Sequence, residues 1–294
     1  MLTEEQRRAL REETDRSRDR VLTEEELMRY PAATGRMTVP TQLGDTPVFT
    51  FESGGKNAER PLIINFHGGG FIKGRSNRDD IFCRRMACSF GALVLDVDYR
   101  LAPEYPYPAA VNESWEVVLW AWENRESLQF DPGRVVLMGH SAGGNLVASI
   151  CMRLGESGLF SPCCALLDYP PLDLAKDPAE KRRTSADMPV ERARDYNRKY
   201  IRPEQSREPF ASPVYAPSAM LGRFPDTLVI SAGEDSLGWE DEEFAVMLAR
   251  SGVTVTLRRF VDSPHGFVMN RVAEWEKAME LIERYVGEHL RREL

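Results

Sequence analysis

The chain has 294 residues, 42% apolar and 29% charged, and its 38 Lys+Arg against 46 Asp+Glu leave a net charge of −8. At roughly 100 to 200 residues per domain this is one large α/β unit or two small domains, and either buries a sizeable core. An acidic chain gains nothing from counterion release on phosphate backbones, which sets nucleic acid and anionic membrane surfaces aside as partners.

The first twenty residues are dominated by Glu, Arg and Asp, and no window approaches the ~18 apolar residues of a bilayer-spanning helix, so a cytoplasmic location is expected. The five cysteines (Cys83, Cys88, Cys151, Cys163, Cys164) are odd in number, lack zinc-like spacing and lie inside apolar runs. They read as reduced core thiols, and the vicinal Cys163-Cys164 pair would bridge only through a strained ring.

In chain order, Met1 to Arg36 is charged and helix-prone and reads as an N-terminal cap segment. Strands are expected at Thr46 to Glu52, Pro61 to Phe66, Ala92 to Tyr99, Val135 to Gly139, Cys163 to Tyr169, Thr227 to Ala232 and Thr254 to Phe260. Helices are expected between and after them, at Asp79 to Phe90, Ala109 to Asn124, Ala142 to Gly155, Glu240 to Ser251 and Arg271 to Arg292. The near-continuous apolar runs Leu62-Ile63-Ile64 and Val135-Val136-Leu137-Met138 suit strands buried on both faces. The fold class is therefore α/β, a mostly parallel sheet with helices on both faces and a helical cap. Pro170 to Arg223 separates two strands by far more residues than a crossover helix needs and reads as a cap insertion, leaving 37–169 and 224–294 as the core. From Lys176 to Glu208 there are 10 Lys+Arg against 7 Asp+Glu. A positive lid that attracts an anionic substrate is one reading of this stretch, and a solvated helical face is the preferred one.

Gly139-His140-Ser141-Ala142-Gly143 follows a strand and opens a helix, the setting of a G-x-S-x-G nucleophile elbow that presents Ser141 Oγ at the sheet's carboxyl edge. Gly139 and Gly143 let the strand turn sharply into a helix that approaches its neighbours closely. His67-Gly68-Gly69-Gly70-Phe71 follows another buried strand and matches an H-G-G-G loop whose exposed backbone N–H groups bind an oxyanion. His67 is then a loop organiser and not a base.

A serine nucleophile needs an imidazole to take its proton and a carboxylate to orient that imidazole. Of four histidines, His67 belongs to the glycine loop, His289 to a charged C-terminal helix, and His140 is the elbow's variable position with its side chain directed away from Oγ. His265, after the last strand, remains as general base and acid. Asp235 stands just past the strand Thr227 to Ala232 and is the expected orienting acid. Glu234 alternates to the other side, Glu240 and Asp241 look like first-turn helix acids, and Asp262 lies too near His265 in sequence. The order Ser141, Asp235, His265 is that of α/β-hydrolases.

The chain resembles the hormone-sensitive-lipase-like branch of the α/β-hydrolases, which includes bacterial carboxylesterases and acetyl esterases. The resemblance rests on His67-Gly68-Gly69-Gly70-Phe71 with Gly74, Asp98-Tyr99-Arg100-Leu101-Ala102-Pro103-Glu104 with Pro108-Ala109, Ser141-Ala142-Gly143-Gly144-Asn145-Leu146, Ala211-Ser212-Pro213 and His265-Gly266-Phe267. It implies Asp235 as the acid and the backbone N–H groups of Gly69, Gly70 and Ala142 as the oxyanion hole. Two departures stand out: His140 replaces the usual Asp or Thr before the nucleophile, and Trp239 enters the acid loop, either to reshape the pocket or to pack under the cap.

The expected activity is hydrolysis of short-acyl esters through an acyl-enzyme, acetyl esters and acetylated sugars among them. No metal or organic cofactor is expected, since no Walker, Rossmann or zinc spacing occurs. The expected partner is a small-molecule ester substrate, and the resemblance adds a homodimer as one form of assembly. Two alternatives stay open: amide or formamide hydrolysis on the same triad, and a non-catalytic ligand-binding receptor on the hydrolase scaffold. Receptors of this branch lack the triad histidine, which this chain keeps.

Overall fold

A computed structural model describes residues 23–55 and 59–291. Most of the segment expected as an N-terminal cap lies outside the described residues. Its described end holds a short helix α1 (Glu24–Arg29) and then a strand, β1 (Ala33–Thr41), that sequence reading missed. Residues 33–36, assigned above to a cap, therefore belong to the sheet. Only Val39 of β1 is buried, so the strand lacks the alternation that would have revealed it.

The remaining elements run β2 (Gly44–Glu52), β3 (Leu62–Phe66), α2 (Asn77–Phe90), β4 (Leu93–Val97), α3 (Ala109–Glu123), α4 (Arg125–Leu128), β5 (Val135–His140), α5 (Ala142–Ser157) and β6 (Cys164–Asp168). After a long excursion that carries α6 (Val190–Tyr200) and α7 (Ser218–Leu221) come β7 (Thr227–Glu234), α8 (Gly238–Arg250), β8 (Val255–Pro264), α9 (Phe267–Asn270) and α10 (Trp275–Leu290). The eight strands form one sheet in the order β1-β2-β4-β3-β5-β6-β7-β8. Pairing is antiparallel from β1 through β2 to β4 and parallel across the rest.

Strands β3 to β6 are buried along their whole length, as central strands covered on both faces must be. Alternation divides them between two cores. Val135 and Leu137 of β5 face α3, α5 and α8 through residues such as Val117, Leu146 and Phe244. Val136 and Met138 face α2 and α10 through Phe82, Met86 and Ile282. Local signals set the helix ends: at α2 the Ser76 backbone donates to Asp79 Oδ2 at 2.8 Å, and Gly91 closes the helix in the left-handed region. Cys83, Cys151 and Cys164 are buried, with Cys88 and Cys163 half-buried. No helix among the described residues is long and apolar enough to cross a membrane.

The excursion between β6 and β7 is tied down from below. Asn145, buried in α5, donates from Nδ2 to the carbonyls of Pro171 (2.8 Å) and Ala211 (2.9 Å), and Ser149 donates to Phe210 O at 2.7 Å. Ser212 Oγ accepts from Leu174 N and donates to Ser206 O. Asn145 and Ser149 thus tie two separate stretches of the insertion, at Pro171 and at Phe210-Ala211, to α5.

Candidate active site

Four loops converge at the carboxyl ends of the strands, where ligands bind in open α/β sheets. Ser141 sits between β5 and α5 at φ 53° and ψ −121°, a left-handed backbone uncommon for a residue with a side chain. Its amide is held by Asp168 O at 2.8 Å and its carbonyl accepts from Gly144 and Asn145. The flanking glycines are required by space: a Cβ on Gly139 would overlap the Gly143 carbonyl group, and one on Gly143 would overlap the Phe66 carbonyl oxygen.

Ser141 Oγ lies 2.9 Å from His265 Nε2, and His265 Nδ1 lies 2.6 Å from Asp235 Oδ2. The three residues singled out from sequence are thus brought into one relay. Asp235 is buried, and its Oδ1 accepts from Leu237 N at 3.1 Å. His265 stays 31% exposed at its side chain and meets Tyr169 edge to face at 5.1 Å. Burial pulls the imidazole pKa down, but the charge and hydrogen bond of Asp235, followed by Asp168 and Asp187, outweigh it, and the pKa is raised above its ordinary 6.5.

Gly69 and Gly70 line the cavity, while Ala142 is buried at the start of α5. The N–H groups of Gly69, Gly70 and Ala142 donate to no acceptor among the described residues. Gly70, at φ +61°, is covered by Tyr196 of α6, whose ring a Cβ there would strike. Beside it Phe71 stacks on Tyr200 at 3.8 Å, so α6 closes directly over the glycine loop. His67 is fully buried, stacked on Tyr99 at 4.2 Å, and its carbonyl accepts from Tyr99 Oη at 2.8 Å. It lies at the base of the loop, away from Ser141 Oγ.

The competing acids are elsewhere: Glu234 and Asp262 are exposed, whereas Glu240 and Asp241 stand in the first turn of α8 but are buried. Glu240 accepts from the Leu172 and Asp173 amides and pairs with Lys181 at 2.6 Å. Trp239 does not line the cavity; it is 58% exposed, with the Arg182 guanidinium of the insertion over its ring, and Leu237 is the residue of that loop that lines the cavity. His140 is buried, with Nδ1 2.6 Å from Asp168 Oδ2 and Phe82 against its ring. Tyr196 and Asp187 escaped sequence reading. Asp187 of the insertion accepts from Ser236 N at 2.8 Å, which braces the loop next to Asp235. Among the described residues no three His, Cys, Asp or Glu side chains converge as a metal-binding set.

The cavity has a volume of about 350 Å³ and lies between the glycine loop, Ser141, His265 and α6. A family model of the alpha/beta hydrolase fold matches residues 63–269. The chain belongs to the α/β-hydrolase family, in its hormone-sensitive-lipase-like branch. The esterase LipI of Mycobacterium tuberculosis is 33% identical over 214 residues, which are 72% of this chain and 67% of that protein. An arylesterase of Saccharolobus solfataricus is 32% identical over 216 residues, 72% of this chain and 70% of its own. The chain spans about two thirds of the length of these curated relatives. The solved structure of a hyperthermophilic esterase from the archaeon Pyrobaculum calidifontis superposes with a TM-score of 0.84 at 28% identity, covering 96% of this chain and 93% of that one.

Proposed function

We propose that the protein hydrolyses short-acyl carboxylic esters through a covalent acyl-enzyme on Ser141. It is a carboxylic ester hydrolase. The observation that carries the mechanism is the relay from Ser141 Oγ through His265 to Asp235, at 2.9 Å and 2.6 Å, beside unengaged backbone N–H groups.

Ser141 Oγ attacks the ester carbonyl as His265 Nε2 takes its proton, and the negative charge that develops on the carbonyl oxygen is received by the N–H groups of Gly69, Gly70 and Ala142. Asp235 holds the Nδ1–H tautomer and stabilises the imidazolium. His265 then gives its proton to the leaving alkoxide, and water repeats the sequence to free the acid. Residues 170–223 act as the cap that narrows the site. A cavity of about 350 Å³ stands near the lower end of the usual range of ligand pockets, which favours short acyl groups, acetyl included, over long chains. His265 in hydrogen-bonding contact with Ser141 favours turnover over a receptor role on the same scaffold.

The test is kcat/KM over 4-nitrophenyl esters from acetate to decanoate, run beside acetylated sugars and matched anilides. A maximum at two to four acyl carbons and weak anilide turnover are expected. A flat profile through decanoate would overturn the short-acyl assignment, and anilides turned over faster than esters would overturn ester hydrolysis as the main activity.

A further inference from the structure

Among the described residues, the cavity lining carries Lys73 and Arg78 beside one carboxylate, Asp79. Lys73 lines the cavity from the turn after the triple glycine, where its amide donates to Gly69 O at 3.1 Å. Its ammonium lies 5.8 Å from the centroid of the Tyr196 ring. Arg192, one turn earlier on α6, places its guanidinium carbon 5.9 Å from the same centroid. Two cations, one from the core loop and one from the insertion, therefore share one ring and stand within about 12 Å of each other.

The neighbouring acids are already engaged. Arg194 pairs with Asp177 and Glu191, and Lys199 pairs with Asp195, so every acid of α6 is matched by another cation of the insertion. Asp79, the carboxylate among the cavity-lining residues, is buried and accepts from the amide and hydroxyl of Ser76. Asp235 is held by His265. Among the described residues neither Lys73 nor Arg192 forms an ion pair. Arg78 also lines the cavity, where it donates to Asn270 Oδ1. Within α6 the acids are thus taken up by Arg194 and Lys199, and Arg192 is left beside the Tyr196 ring.

We infer that the preferred substrate is an ester that also carries a carboxylate, seated between Lys73 and Arg192 at the edge of the Tyr196 ring. The ring edge is the electropositive part of an aromatic system and suits an anion. Because Tyr196 rests on Gly70, this position adjoins the proposed oxyanion donors, so a small ester reaches both ends. A bound carboxylate also relieves the repulsion between the two cations and links the core loop to α6. The inference rests on the esterase reading of the same site and adds the charge of the substrate to it.

The experiment measures kcat/KM for two matched pairs: 4-acetoxybenzoate against its methyl ester, with the carboxylate on the alcohol side, and monophenyl glutarate against methyl phenyl glutarate, with it on the acyl side, each corrected for uncatalysed hydrolysis. One pair is expected to favour the anion by about tenfold, the scale of a charge-assisted contact, and that pair identifies the side. The preference should shrink as salt is raised from about 0.02 to about 0.5 M, fall towards one in the Lys73→Met, Arg192→Gln double variant, and survive in Lys73→Arg. A neutral ester turned over as well as or better than its anionic partner in both pairs overturns the inference and leaves ester hydrolysis standing. An anion preference unaltered in the double variant overturns the assignment to these residues. Loss of turnover of all four esters in the unmodified protein overturns the esterase reading, and the inference falls with it.

Discussion

Lys181 Nζ lies 2.6 Å from Glu240 Oε2 with both side chains only 7% exposed, joining the insertion to the helix that follows the Asp235 loop. The same carboxylate accepts from the Leu172 and Asp173 amides, so one buried charge gathers three groups of the insertion. Removing one member of a buried pair strands the other charge, at a cost of about 3 to 5 kcal/mol. Lys181→Met should therefore destabilise the protein on that scale in urea unfolding. Adding Glu240→Gln, which removes the stranded charge and keeps an acceptor for the two amides, should recover part of the loss. Lys181→Met within about 0.5 kcal/mol of the unmodified protein, the range of ordinary surface substitutions, would show that the pair does not anchor the insertion.

Gly70 supports a second expectation. A methyl group there meets the Tyr196 ring, and the positive φ adds strain of its own. Either the ring or the loop must move, and misplacement of reacting groups by ~1 Å costs on the order of 100-fold. Gly70→Ala should lower kcat by about 10- to 100-fold, and Tyr196→Ala in the same chain should restore part of it by removing the collision. Wild-type kcat in Gly70→Ala would mean that the loop does not hold an oxyanion donor in place.

The pH profile follows from His265. The imidazole acts as a base only when neutral, and the carboxylates around it raise its pKa above 6.5, so the charged, inactive form persists to higher pH. The kcat/KM profile should fall on the acid side with a midpoint above 6.5. Asp235→Asn removes the principal influences that raise the pKa, so the midpoint should move down while the rate drops by ~10⁴ through loss of the correct tautomer. An acid limb unchanged in Asp235→Asn would place the controlling proton on another group.

The parts legible in sequence are those with local causes. Buried strands announce themselves as apolar runs, and the elbow and glycine loop are contiguous because backbone crowding at Gly139 and Gly143, and a positive φ beneath the Tyr196 ring at Gly70, demand glycine at those points. Asp235 and His265 were legible because each follows a recognisable strand. What was not legible depends on distant partners. The edge strand β1 buries only Val39 and draws its order from pairing with β2, which no window of its own sequence reports. Glu240 carried the mark of a first-turn helix acid, and only the fold brings Lys181 and the Leu172 amide to it across some sixty residues. Tyr196 sits on a helix whose composition is almost wholly polar, and its place over Gly70 is set by the docking of Tyr200 on Phe71. Of the two readings of Trp239, the pocket wall fails because the first turn of α8 directs the ring outward, where Arg182 of the insertion lies over it.

The most direct test of Ser141 as the nucleophile is intact-protein and peptide mass spectrometry after incubation with a fluorophosphonate, which captures a serine activated by a neighbouring imidazole. One adduct per chain on the peptide containing Ser141 is expected, with none in Ser141→Ala and strongly slowed labelling in His265→Ala. A protein that turns over short esters yet carries no adduct on Ser141, or is labelled equally in Ser141→Ala, would contradict it.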